Sequence, residues 1–164
     1  MKKIDIKNII GIIIVLVFIV LAALIVYDST SQGYKLDKSR VVVPVGFTCE
    51  SYKDNVTNYD FLNITGNQQN IIAGYYKDTK IETVLSDYKT AMSQFNVTLE
   101  ESSLDVDGKP VKKTKLNSSN ITTYWFVNNN EVLYYQVNQP TENTEATVTE
   151  LIRNTHSNLL NSIL

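Results

Sequence analysis

His156 and Cys49 are the first candidates for acid–base or nucleophilic chemistry, and each is the only residue of its type in the chain. One histidine and one cysteine cannot supply the usual ligand set of a zinc site. A Ser-His-Asp triad would depend on His156, and the sequence lacks the Gly-x-Ser-x-Gly turn that exposes a nucleophilic serine. Cys49 has no basic neighbour to activate its thiol, so we expect a small buried hydrophobic residue; an intermolecular disulfide or a reactive thiol is the alternative. The sequence therefore predicts no catalytic residue and no enzyme.

The acidic residues do not complete a metal-binding motif. Asp105 and Asp107, followed by Gly108, resemble part of a calcium-binding loop, but the third acidic position and the closing glutamate are missing. A hairpin turn is the better interpretation of this segment. The formal net charge is −2, which excludes the basic surface of a nucleic-acid-binding domain. We therefore expect no metal, no cofactor and no nucleic acid.

An uncharged apolar segment at 9–27 indicates where such a protein resides. As a helix its nineteen residues would span about 28 Å, close to the thickness of the bilayer core. Lysines precede this segment and none follows it closely, which predicts a cytoplasmic N-terminus at 1–8, a transmembrane signal-anchor at 9–27 that contacts the lipid bilayer, a tether at 28–38 and an extracytoplasmic domain at 39–164. A cleaved secretory signal is the alternative, and it would leave the same domain outside. The predicted localisation is the cell membrane, with a single pass.

The rest of the chain changes between strand and helix periodicity. Two segments, about 79–95 and 145–162, repeat apolar residues every three or four positions, which is typical of amphipathic helices. Thr79 and Glu82 form a capping box for the first of them. The other segments alternate as strands joined by hairpins, and hairpins produce an antiparallel sheet on which the helices must bury their apolar faces. The predicted fold class is α+β: an antiparallel β-sheet flanked by two amphipathic helices, preceded by one N-terminal transmembrane helix.

The order of these elements resembles that of the PsbP-like proteins. The residues that carry the resemblance are the Val-Val-Val-Pro-Val-Gly-Phe segment at 41–47, the helix face over 81–95, the aromatic hairpin at 121–137 and the closing helix face over 148–159. Members of that group are mostly non-enzymatic: extrinsic photosystem II subunits, a small-GTPase-binding branch, and secreted or membrane-tethered proteins. The resemblance implies a binding or structural domain, but it transfers no residue roles and no photosynthetic function to this chain.

Aromatic residues occur as neighbours in both strands of the predicted hairpin. Because successive side chains of a strand point to opposite faces, each pair places one ring on either side of the sheet. Either helices or loops cover both faces, or one aromatic face is exposed and docks a partner. The candidate partner-binding residues are Tyr124, Trp125, Phe126, Tyr134 and Tyr135.

Asn-x-Ser/Thr sequons follow the apolar segment at Asn55, Asn63, Asn96, Asn117 and Asn120. Those at Asn117 and Asn120 lie in a predicted turn and would be the best acceptors in a host that glycosylates its surface proteins. Three functions are consistent with this sequence. The first is a non-catalytic anchored domain that binds another component of the envelope or of a membrane complex. The second is a glycosylated surface structural protein, and the third is a domain that binds or hydrolyses a small ligand.

Overall fold

The computed structural model describes residues 13–22, 33–54 and 59–157. Residues 13–22 form a helix, α1, whose side chains are exposed. This helix lies within the predicted transmembrane segment 9–27, and the other residues of that segment lie outside the described ranges. Among the described residues, no helix combines the length and the apolar character needed to cross a bilayer. The membrane anchor and its orientation stay predictions.

Residues Gly33–Ser157 form a compact unit of their own, which contains two antiparallel sheets. Its strands are β1 (Tyr34–Leu36), β2 (Ser39–Val41), β3 (Phe47–Lys53), β4 (Asp60–Gly66), β5 (Gln69–Tyr76), β6 (Leu99–Val106), β7 (Lys109–Leu116), β8 (Ile121–Asn128), β9 (Glu131–Asn138) and β10 (Thr155–Ser157). The large sheet has the order β3-β4-β5-β9-β8-β7-β6, and the small sheet has the order β1-β2-β10. The α+β class with antiparallel strands is confirmed, but there are two sheets where one was predicted.

The predicted hairpins of the large sheet are confirmed. Asp107 and Gly108 connect β6 with β7, and Asn129 and Asn130 connect β8 with β9. All four residues have positive φ angles, between 50° and 83°. Glycine reaches such angles without steric cost, and Asn and Asp reach them more readily than other residues. These turns are therefore the places where local residue preference and the final structure agree.

Two helices pack on opposite faces of the large sheet and, with α1, make three helices among the described residues. In α2 (Ile81–Gln94), Val84 packs in one apolar cluster with Trp125. In α3 (Thr144–Arg153), Leu151 packs in the larger cluster with Phe126. Trp125 and Phe126 are consecutive in β8, so they face opposite sides of the sheet. The predicted capping box is wrong, because α2 begins after Lys80 and has no side-chain cap at its first turn.

The second predicted helix is shorter than expected, because the chain leaves it to join the small sheet. α3 ends at Arg153, and Thr155 then pairs with Val41 of β2. The Thr155 hydroxyl donates to the Leu151 carbonyl at 2.7 Å and lies 2.6 Å from the Tyr135 hydroxyl. Val41 and Tyr135 lie far from Thr155 in the sequence, which explains why local periodicity missed the strand. The predicted tether at 28–38 also differs from the structure, because β1 lies within this range.

We expect Gly66→Ala to lower the free energy of unfolding by about 3 kcal/mol, as overpacking against backbone does. A Cβ at Gly66 would collide with the Gly46 carbonyl oxygen and lie 2.8 Å from Phe47 Cα. The control is Gly108→Ala, whose Cβ would meet nothing within 4 Å; we expect a loss of about 1 kcal/mol there from its positive φ alone. Urea unfolding measures both variants, and equal losses would contradict the predicted collision.

Candidate functional site

The aromatic hairpin does not present an exposed face. The side chains of Tyr124, Trp125, Phe126 and Tyr135 are at most 2% exposed, and Tyr134 is partly buried. The docking face predicted from these residues is therefore wrong as an exposed patch, and coverage of both faces is the arrangement found. The physical reason is that α3 packs over one face of the hairpin and α2 over the other.

The buried rings of this hairpin also have their polar groups occupied. Trp125 Nε1 donates to Thr114 Oγ1 at 2.9 Å, and the Tyr135 hydroxyl lies 2.6 Å from Thr155 Oγ1. Strand register pairs Trp125 with Tyr134 and Tyr124 with Tyr135, so Trp125 and Tyr135 lie on different faces of the sheet. Satisfied buried groups of this kind stabilise and specify a core. We infer a structural role for Tyr124, Trp125, Phe126 and Tyr135, which leaves Tyr134 as the remaining candidate.

The two residues first considered for catalysis do not come together in a site. Cys49 is a free, partly buried cysteine in β3, and burial raises the pKa of its thiol to about 11. The thiol is then protonated at neutral pH and weakly nucleophilic. His156 is exposed in β10, opposite Arg40 of β2. Within the described residues, no group of three or more His, Cys, Asp or Glu side chains is placed to hold a metal ion.

The sequons differ in accessibility. Asn117 and Asn120 lie in the exposed turn between β7 and β8, and Asn96 is exposed after α2. Asn63 lies within β4, where its Oδ1 accepts a hydrogen bond from Asn70 Nδ2 at 3.0 Å. Asn55 lies outside the described residues. The exposed turn keeps Asn117 and Asn120 as the best predicted acceptors.

An aromatic cleft opens on the sheet face that also carries α2. Side chains from β4, β5 and β9 point toward this face by alternation, and the tyrosine that precedes β4 lies beside them. Together they line an open cleft of about 440 Å³. We call this feature the tyrosine cleft; its lining includes Tyr59, Phe61, Ile72, Gly74, Tyr76 and Tyr134. Only Tyr134 was among the residues predicted from the sequence. The Gly74-Tyr75-Tyr76 triplet was the available local signal, but the cleft needs three strands to be brought together.

The tyrosine rings at the cleft contact each other in two pairs. The centroids of Tyr76 and Tyr134 are 5.8 Å apart, and those of Tyr59 and Tyr75 are 5.6 Å apart in a nearly edge-to-face contact. The Tyr134 ring lies over Gly74, where a Cβ would fall 2.6 Å from its Cε1, so any larger residue would displace the ring. Burial raises the pKa of Tyr134 to about 12, and burial with the nearby Tyr59 raises the pKa of Tyr76. These phenols therefore stay neutral at physiological pH.

The tyrosine cleft is lined by carboxylates as well as by aromatic rings. Asp54 and Asp60 line the cleft, whereas no lysine or arginine is among its described lining residues. A second hollow of about 390 Å³ adjoins it and shares two of its tyrosines. Near this border, Lys77 Nζ lies 5.4 Å from the centroid of the Tyr75 ring, within cation–π distance. Both the ring faces and the carboxylates attract positive charge.

A pair of carboxyl groups, one buried and one partly buried, lies where the β1–β2 turn meets the β8–β9 hairpin. Glu131 is fully buried, and its Oε2 accepts a hydrogen bond from the Lys38 backbone N–H at 3.3 Å. Burial raises the pKa of Glu131 to about 8, and its hydrogen bond with Asp37 adds to the rise. Burial also acts to raise the pKa of Asp37, but hydrogen bonds with Glu131 and Lys77 lower it overall. The pair therefore shares one proton near neutral pH.

No protein-family model and no curated protein matches the chain. The chain is similar in structure to the solution structure of cyanobacterial PsbP (CyanoP) from Synechocystis sp. PCC 6803, with a TM-score of 0.49 and 10% sequence identity. The match covers 77% of this chain and 90% of that chain. This structural neighbour belongs to the group that the sequence pattern resembles.

Proposed function

We propose that this chain is a non-catalytic binding protein, anchored in a membrane by residues 9–27, whose outer domain binds another envelope component through the tyrosine cleft. The observation that carries the proposal is the exposure of aromatic side chains at this cleft. Tyr59 is 44% exposed and Tyr76 is 40% exposed, whereas the aromatic core of the neighbouring hairpin is covered. Tyrosine is enriched at binding sites because its ring supplies contact area at a small cost in conformational entropy.

Binding fits the chemistry of the cleft better than catalysis does. The lining contains neither His156 nor Cys49, and burial keeps the thiol of the latter protonated. The phenols of Tyr76 and Tyr134 have raised pKa values, so they are poor general bases at neutral pH. A volume of about 440 Å³ lies within the range of ligand-binding pockets. A glycosylated structural protein is the second candidate, and the exposed turn with Asn117 and Asn120 favours it.

Site-specific photo-cross-linking in native membranes tests the binding function. A benzophenone amino acid placed at Tyr59 or at Tyr76 is expected to capture the same membrane or envelope partner. The control position is Tyr34, which is 40% exposed in β1 and does not line the cleft. A product of equal yield at Tyr34, or no product at either cleft position, would contradict binding through the cleft.

A further inference from the structure

We propose that the tyrosine cleft binds an organic ammonium group, such as the trimethylammonium of a choline derivative. This inference rests on the proposed binding function and names the chemistry of the group that enters the cleft. Neutral aromatic rings attract a cation to their faces, and several rings around one space form the aromatic cage that recognises alkylated ammonium groups. Tyr59, Tyr76 and Tyr134 line the cleft and supply such rings.

The charge of the cleft favours a cation over a neutral ligand of the same shape. Asp54 and Asp60 contribute carboxylates, and the described lining contributes no positive side chain. An alkylated ammonium is weakly hydrated, so it can leave water for aromatic and carboxylate contacts at a smaller cost than a compact ion. An anionic ligand would instead meet two carboxylates of its own sign.

The chain itself holds an ammonium group against a ring that adjoins the cleft. Lys77 Nζ lies 5.4 Å from the centroid of Tyr75 and 3.0 Å from Asp37 Oδ1. Tyr75 in turn contacts Tyr59 of the cleft, at a centroid distance of 5.6 Å. One ring and one carboxylate thus position an internal cation beside the cleft, and the cleft offers more rings and two carboxylates.

Apolar parts of the cleft suit the alkyl groups of such a ligand. Phe61 and Ile72 line it, and Gly74 leaves its floor without a side chain. The volume of about 440 Å³ exceeds what a bare metal ion or free ammonium ion would fill. The ligand is therefore expected to carry its cationic group on a larger organic body, either a free small molecule or a lipid headgroup.

Calorimetric titration of the full chain in maltoside micelles tests the ligand class. Choline is the probe, and 3,3-dimethyl-1-butanol is its neutral control, since the two differ by the charged nitrogen alone. We expect choline to bind at least about fivefold more tightly than the neutral analogue, the ratio that one exposed cation–π contact provides. Equal affinities, or no choline binding, would overturn the proposal.

Matched variants test whether choline binds in the tyrosine cleft. Tyr76→Phe keeps the ring and is expected to retain choline affinity within about twofold, whereas Tyr76→Leu is expected to weaken it about fivefold. Asp60→Asn should weaken choline binding without changing that of the neutral analogue. Tyr34→Leu, outside the cleft, is the control. Because Tyr76 is 40% exposed, both replacements are expected to fold, and circular dichroism verifies this. Equal affinity of the Phe and Leu variants would overturn the aromatic site.

Competition separates the two sources of the ammonium group. Adding a choline-headgroup phospholipid to the micelles should displace choline if the ligand is a headgroup, and a glycerol-headgroup phospholipid should not. Lack of competition by either lipid assigns the cleft to a free ammonium compound. Cross-linking through Tyr59 without any preference for choline would overturn the ligand class and leave the binding function intact. Choline binding without cross-linking would remove the protein partner and leave the ammonium site.

Discussion

Glu131→Gln is expected to stabilise the domain above neutral pH and to remove most of its pH-dependent loss of stability. The pKa of Glu131 is raised from 4.5 to about 8 in the folded chain, so folding favours the protonated form. The stabilising effect of protonated Glu131 is complete below about pH 4.5. It declines as the pH rises to about 8, by at most about 1.4 kcal/mol per pH unit. Glutamine stays neutral and can donate to Asp37, so we expect a gain on the order of 2–4 kcal/mol at pH 9.

Urea unfolding of the wild type and of Glu131→Gln at pH 5, 7 and 9 measures this effect. Asp37 contributes with the opposite sign: its pKa is lowered, so its stabilising effect is lost as pH falls below about 4. Lys38 and Lys77 face the pair, and the hydrogen bond with Asp37 raises the pKa of Lys77. The control is Glu145→Gln, an exposed carboxylate that pairs with Lys113. A wild-type domain equally stable at pH 5 and 9 would contradict the prediction.

Trp125→Ala is expected to lower the free energy of unfolding by about 3–5 kcal/mol, the usual range for truncating a buried tryptophan. Trp125 is 2% exposed, and the centroid of its ring lies 5.2 Å from that of Tyr88 in α2. Its ring N–H donates a hydrogen bond to the Thr114 hydroxyl. The truncation leaves a cavity under α2 and an unpaired Thr114 hydroxyl. Denaturant unfolding measures the loss, and hydrogen exchange of 81–94 should accelerate more than that of α3.

The control is Val127→Ala, at a position on the same face of β8 that is 49% exposed. Its effect is expected to stay within about 0.5 kcal/mol, as for surface substitutions. The Trp125 ring also lies 5.5 Å from that of Tyr134 and 6.4 Å from that of Tyr76, so its loss should loosen one wall of the tyrosine cleft. A similar loss of stability in both variants would contradict a central role for Trp125 under α2.

Local patterns determined much of the fold. The β6–β7 and β8–β9 hairpins form where Asp107-Gly108 and the asparagine run predict turns, because these residues reach positive φ at low cost. The apolar repeat of α2 places Val84 and Leu85 on its buried face, as a period of 3.6 residues requires. Period and turn preference depend on neighbours within a few residues, so they can be read without the tertiary structure.

Tertiary structure decided the features on which function depends. Alternation predicts that consecutive aromatic residues face opposite sides, but whether Trp125 is covered depends on where α2 packs. Glu131 would be an ordinary hairpin residue without the β1–β2 turn, which comes from more than ninety positions earlier and buries it. Likewise, β10 exists because β2 offers its backbone groups. The tyrosine cleft joins Tyr59, Gly74 and Tyr134 from separate strands and loops, and contacts between residues so distant in sequence leave no local period to detect.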